Sequence, residues 1–138
     1  MDRRVLVVDD NVETVKVIQE ALERAGFSVV SAQNGAECLV AVDERQPDLV
    51  ILDVHMPVLN GLDALRLLRQ RPDMDDLPVI ILSGKDEYTD VRAGWGAGAD
   101  LYLTKPLRLG AVVAAARWML GDGDRVDGVP AGVVSSDL

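Results

Sequence analysis

The stretch Asp48-Leu49-Val50-Ile51-Leu52-Asp53, continued by Val54-His55-Met56-Pro57, decides the fold class. A run of Leu, Val and Ile without polar alternation reads as a strand buried on both faces, the kind found in parallel sheets covered by helices. It ends on a carboxylate and a proline loop, so Asp53 stands at a C-terminal strand end, where open α/β sheets gather their ligands. Two other runs behave alike: Val5-Val8 leads into Asp9-Asp10, and Leu101-Thr104 leads into Lys105-Pro106. Three carboxylates and one ammonium are therefore expected at one sheet edge.

Outward from these runs, helix and strand signals alternate. Asn11 can cap a helix with apolar Val12, Val15, Ile18, Leu22 and Ala25, and Gly26 stands where a C-cap belongs. A strand over Phe27 to Ala32 precedes a helix over Gly35 to Arg45, which Pro47 stops. Asn60-Gly61 reads as a turn or cap before a helix bearing Leu62, Leu65, Leu67 and Leu68, and Pro78 to Leu82 is a fourth strand. Asp86 to Ala97 is expected as a helix weakened by Gly94 and Gly96, each of which costs roughly 1 kcal/mol relative to alanine. Leu101 to Thr104 is the fifth strand and Leu109 to Leu120 the last helix. Five strands alternating with five helices predict an α/β domain: a doubly wound, five-stranded parallel sheet of flavodoxin-like topology with helices on both faces. The domain is expected over residues 1–120. Residues 121–138, rich in Gly and Asp without periodicity, read as a flexible tail or linker.

The chain of 138 residues, 49% hydrophobic, suits one domain with one sizeable core. Its formal charge of -9 argues against direct binding to nucleic acid or an anionic membrane. No apolar run reaches the length of a membrane span, and the expected location is cytoplasmic. The single cysteine, Cys38, excludes an internal disulfide and reads as a small buried helix residue.

Singly, each polar signal at the strand ends is weak; paired aspartates usually form a solvated turn or a cap. Jointly, strands one, three, four and five deliver Asp9-Asp10, Asp53, Ser83 and Lys105 to one edge. Three neighbouring carboxylates repel one another unless a cation compensates. Mg²⁺ fits best, with Mn²⁺ as an alternative, because a hard ion accepts carboxylates, waters and a phosphate oxygen. An aspartate beside a divalent cation and a lysine can attack a phosphoryl group, and Asp53, alone on its strand end, is the candidate nucleophile.

The motifs Val5-Leu-Val-Val-Asp-Asp-Asn11, Asp48-Leu-Val-Ile-Leu-Asp-Val-His-Met-Pro57, Val79-Ile-Ile-Leu-Ser-Gly84 and Ala97-Gly-Ala-Asp-Leu-Tyr-Leu-Thr-Lys-Pro106 together resemble the receiver domain of two-component response regulators, over roughly Arg3 to Leu120. The resemblance implies a signalling switch in which Asp53 accepts a phosphoryl group from a histidine kinase or phosphotransfer protein. By the same resemblance Asp9, Asp10, Asp53 and the backbone carbonyl of His55 hold Mg²⁺, directly or through water. Lys105 contacts the phosphoryl oxygens, Ser83 donates to them, and Tyr102 is an aromatic switch. Phosphorylation adds charge and acceptor oxygens that need partners, which is how it can move a hydroxyl and then a ring.

In the same family the positions of His55 and Lys85 border the phosphoryl group and tune its lifetime, and Gly84 leaves the approach open. The family also places Val91, Trp95 and Trp118 on the face of the fourth helix, fifth strand and last helix, used for a homodimer or a downstream protein. The spacing of Val112, Ala116 and Met119 puts Trp118 off the buried stripe, although packing at the core edge is an equal reading. Three rivals stand beside this one. A haloacid dehalogenase-like phosphohydrolase needs a carboxylate where His55 stands, a flavodoxin-like FMN site would meet repulsion from Asp9-Asp10, and a phosphorylation-independent binding module has no need of the complete polar set.

Overall fold

The computed structural model describes residues 3–84, 96, 98–121 and 133–135. In chain order the elements are β1 (Arg4–Val8), α1 (Val12–Arg24), β2 (Ser28–Ala32), α2 (Gly35–Arg45), β3 (Leu49–Asp53), α3 (Gly61–Gln70), β4 (Val79–Ser83), β5 (Leu101–Thr104), α4 (Leu109–Leu120) and β6 (Val133–Ser135). The sheet order is β2-β1-β3-β4-β5-β6, and the first five strands run parallel. The doubly wound five-stranded architecture expected from the sequence is therefore present. The helix expected over Asp86 to Ala97 falls outside the described residues apart from Gly96, as do Lys85, Val91 and Trp95.

Alternation along the strands divides the core into two layers. Val5, Val7, Leu49, Ile51, Ile80, Leu82, Leu101 and Leu103 face α1 and α4, where Ile18, Leu22, Val112 and Ala116 meet them. Leu6, Val8, Val50, Leu52, Val79, Ile81 and Tyr102 face α2 and α3, against Cys38, Val42, Leu65 and Leu68. Both layers are apolar, so the unbroken hydrophobic runs follow from burial on two sides. Burial pushes the Cys38 thiol up to about 12, with the nearby Arg71 only partly opposing it, and this leaves an inert core residue.

Asparagines start three of the helices. The side-chain oxygens of Asn11, Asn34 and Asn60 accept the backbone N–H of Thr14, Glu37 and Asp63 at 3.1, 2.9 and 2.9 Å. Each such cap contributes on the order of 1 kcal/mol relative to alanine. Two expected core positions are on the surface: Val12, the first residue of α1, is 61% exposed, and Leu67 points away from the Ala64-Leu65-Leu68 face of α3.

The tail departs from expectation. Val133–Ser135 form a sixth strand, antiparallel to β5, with Val134 opposite Tyr102 and Val133 opposite Leu103. Without it, one side of β5 would present unpaired backbone groups, and a Val-Val-Ser segment has the β-branched character to satisfy them. A three-residue strand is too short to show a period. The rest of the expected tail lies outside the described residues apart from Gly121, the left-handed cap of α4.

Candidate functional site

Sheet register builds the site. Val8 pairs with Leu52, so the residues that follow them, Asp9 just past β1 and Asp53 at the end of β3, emerge side by side at the C-terminal edge. Asp9 and Asp53 share the odd-numbered parity of Val7 and Ile51 and are only 1% and 4% exposed, whereas Asp10 is exposed. Beyond β4 and β5, where Ser83 pairs with Thr104, the backbone N–H of Lys105 donates to the Ser83 carbonyl at 2.6 Å. That bond sets the start of the next loop. From there the Lys105 Nζ reaches Asp53 Oδ1 at 3.1 Å and Asp9 Oδ2 at 3.3 Å. The other Asp9 oxygen accepts the Asn11 N–H at 3.0 Å, so the residue that caps α1 also orients this carboxylate.

The electrostatics are those of a crowded acidic pocket with one resident cation. Burial, and then the Asp9 charge, raise the Asp53 carboxyl above its ordinary value, and Lys105 only partly offsets them. Burial alone would depress Lys105, but the Asp53 and Asp9 carboxylates outweigh it and hold the ammonium above its usual range. Carboxylate oxygens of Asp9, Asp10 and Asp53 lie within 4.8 Å of one another. Three carboxylates against one lysine leave net negative charge, and the donor set is all oxygen with one exposed member. That chemistry fits a hard divalent cation.

The loop after β3 is held by two close crossings. The Gly61 N–H donates to the Val54 carbonyl at 2.9 Å, and a Cβ on Gly61 would lie 2.0 Å from the Asp53 carbonyl oxygen. The Gly35 N–H donates to the Leu59 carbonyl at 2.9 Å, with room for no Cβ there either. Glycine lets the start of α3 pass directly over the backbone of Asp53.

The sequence pattern of the response regulator receiver domain matches residues 5–117. The chain belongs to the response regulator receiver domain family. Its relatives include the transcriptional regulatory protein PrrA of Mycobacterium tuberculosis, 41% identical over 85% of this chain and 49% of PrrA. The alkaline phosphatase synthesis transcriptional regulatory protein PhoP of Bacillus subtilis is 42% identical over 77% of this chain and 43% of its own length. The receiver thus spans about half the length of these curated relatives. Among solved structures, a response regulator from Chloroflexus aurantiacus superposes with a TM-score of 0.84 at 30% identity, covering 88% of this chain and 99% of that one.

Within the receiver, Asp9, Asp10, Asp53 and Lys105 meet as the sequence suggested. Ser83 is buried at the end of β4, one strand from Asp53. Tyr102 is fully buried on β5 in the α2–α3 layer, its ring turned inward. His55 is exposed on the loop after Asp53, and Gly84 opens to solvent, where an added Cβ would meet no atom within 4 Å. Of the two readings left open for Trp118, the structure gives packing at the core edge: it is partly buried against the α1–α4 layer. The α4 sequence is apolar on almost every face, so its spacing could not fix which side packs. Sequence reading missed the Gly61 crossing, for which an asparagine-glycine pair signals only a cap, and the orienting bond from Asn11.

Proposed function

We propose that this receiver is a phosphorylatable switch of a two-component system, with Asp53 as the phosphoacceptor. The observation that carries the reading is the Lys105 ammonium set between the buried Asp9 and Asp53 carboxylates, at a sheet edge where three acidic side chains converge. An Asp53 oxygen forms the new bond to phosphorus as the phosphorus–nitrogen bond of a phosphohistidine donor breaks, its electron pair staying on the imidazole. Lys105, already paired to Asp53, is placed to meet charge on the transferring oxygens, and Ser83 and Thr104 end the adjoining strands.

Asp10, Asp53 and the His55 carbonyl, with Asp9 directly or through water, would hold Mg²⁺, or Mn²⁺ in its place. When bound, such an ion neutralises phosphoryl oxygens and lowers the cost of ionising Asp53. The two buried carboxylates and exposed Asp10 support that assignment.

The donor is a histidine kinase or phosphotransfer protein. A groove of about 420 Å³ between Thr14 and Val17 of α1 and the segment Lys105, Pro106, Leu107, Leu109 opens beside the phosphoacceptor and offers apolar contact to such a protein. Downstream, the receiver acts through a protein partner or a homodimer, with Tyr102, on the strand that leads into Lys105, as the aromatic switch. It is a signalling module with slow self-dephosphorylation, not a turnover enzyme, and it works in the cytoplasm. No helix among the described residues is long and apolar enough to cross a membrane, and a charge of -9 disfavours nucleic acid as this chain's own partner. The test is chemical: after treatment with a phosphoryl donor, hydroxylamine should convert an acyl phosphate to a hydroxamate that peptide mapping localises to Asp53. A hydroxamate elsewhere, or none, contradicts the assignment.

A further inference from the structure

The two edges of the sheet are treated differently. β6 covers β5, while β2 has β1 on one side and no strand among the described residues on the other. The N–H of Ser28 donates to Arg3 and the carbonyl of Ala32 accepts from Asp9, so Ser28, Val30 and Ala32 turn their backbone groups inward and Val29 and Ser31 turn theirs outward. The strand Ser28-Val-Val-Ser-Ala carries no charge, proline or bulge of the kind that usually blocks edge pairing. Beside it, a groove of about 590 Å³ runs between β2 and α2, lined by Val30, Ala36, Glu37, Val40, Glu44 and Arg45 among others, and Val40 is 54% exposed.

We propose that this edge is a homodimer interface in which β2 pairs antiparallel with β2 of a second copy. The outward residues are symmetric about Val30, as a two-fold axis requires. Centring the pair on Val30 lets Val29 and Ser31 each exchange both backbone hydrogen bonds with the second copy, four bonds in all. The groove follows the same symmetry. Glu37 lies in the first turn of α2 and Arg45 in its last, with Val40 and Ala41 between. Reversing the second copy sets Glu37 of one chain toward the Glu44-Arg45 end of the other, where Arg45 supplies the opposite charge, and brings Val40 of both chains to the centre. This self-complementarity selects a second copy as the occupant. The interface lies two strands from Asp53 and does not rest on the phosphoacceptor reading.

Sedimentation of the full chain over a concentration series tests it, with two variants. Ser31→Pro removes an outward N–H and leaves the β1–β2 ladder intact, and Val40→Asp sets two like charges at the two-fold axis. Each should weaken dimerisation on the order of tenfold or more while thermal unfolding stays cooperative. Amide exchange at Val29 and Ser31 should slow as concentration rises. A wild-type chain that stays monomeric throughout, or dimers that both variants leave unchanged, overturns the proposal. Slowing of exchange at β5 instead of β2 would place the contact elsewhere and overturn it equally.

Discussion

Gly61 crosses Asp53 so closely that a Cβ on the glycine would lie 2.0 Å from the Asp53 carbonyl oxygen. Backbone cannot yield as a flexible side chain can, so Gly61→Ala must push the start of α3 away from the end of β3. We expect a loss of about 2 kcal/mol of stability, within the range of overpacked sites, together with impaired chemistry at Asp53. Gly84→Ala is the contrast, because a Cβ there meets nothing within 4 Å. Its stability should stay within about 0.5 kcal/mol of wild type. Urea unfolding of both variants checks the pair; equal effects would contradict the crossing.

The Asp53 carboxyl is harder to ionise in the fold than in the unfolded chain, through burial and then the Asp9 charge. The folded state therefore binds the Asp53 proton more tightly, and stability falls as pH rises from 3.8 through the folded value. Above the folded value the penalty is fully present. Without divalent ions, Asp53→Asn should melt above wild type at pH 7, and the gap should close toward pH 3.8. Mg²⁺ at about a hundred times its dissociation constant should then stabilise wild type by roughly 2.7 kcal/mol and the variant by less. Melting curves with chelator and with Mg²⁺ decide it; a variant less stable than wild type in chelator contradicts it.

Arg69 fastens the end of α3 to the entries of β4 and β5. Its guanidinium donates to the Gly98 carbonyl at 2.8 and 3.0 Å, to Met74 and Leu77 carbonyls at 2.8 and 2.7 Å, and to Asp100 Oδ2 at 3.1 Å. That same Asp100 oxygen accepts the Val79 N–H at 2.9 Å. Arg69→Ala strips several carbonyls of their partner and should cost about 3 kcal/mol, read as a shifted urea midpoint. Arg69→Lys should recover only part, since an ammonium cannot span the fork.

Much of this was legible beforehand because the strands are buried on both faces and their runs are unbroken. Asp9, Asp53 and Lys105 stood out because each ends such a run, and parallel register aligns run ends. What stayed hidden depends on packing between distant segments. Gly61 over Asp53 and Arg69 at Gly98 are crossings that no local pattern encodes. Val12 and Leu67 fit a helical period yet face outward, since a period does not say where a stripe begins or ends. β6 is set by the open edge of β5, and Trp118 by the side on which an almost wholly apolar helix packs.

Val58, in the loop that leads into α3, has φ of +70° and is 83% exposed. A β-branched residue in that region is a steric outlier with no packing to compensate it. Val58→Asn should stabilise the chain by about 1 kcal/mol, whereas Val58→Ile should bring no gain. Thermal unfolding measures both; a destabilising Val58→Asn would contradict the strain.

Intact mass after incubation with a small phosphoryl donor, with and without Mg²⁺ and beside Asp53→Asn, reads phosphoryl transfer to the chain itself. With Asp53 as phosphoacceptor, wild type gains a single phosphoryl adduct that needs Mg²⁺ and is absent from the variant. No adduct on wild type under any condition, or an equal adduct on Asp53→Asn, would contradict it.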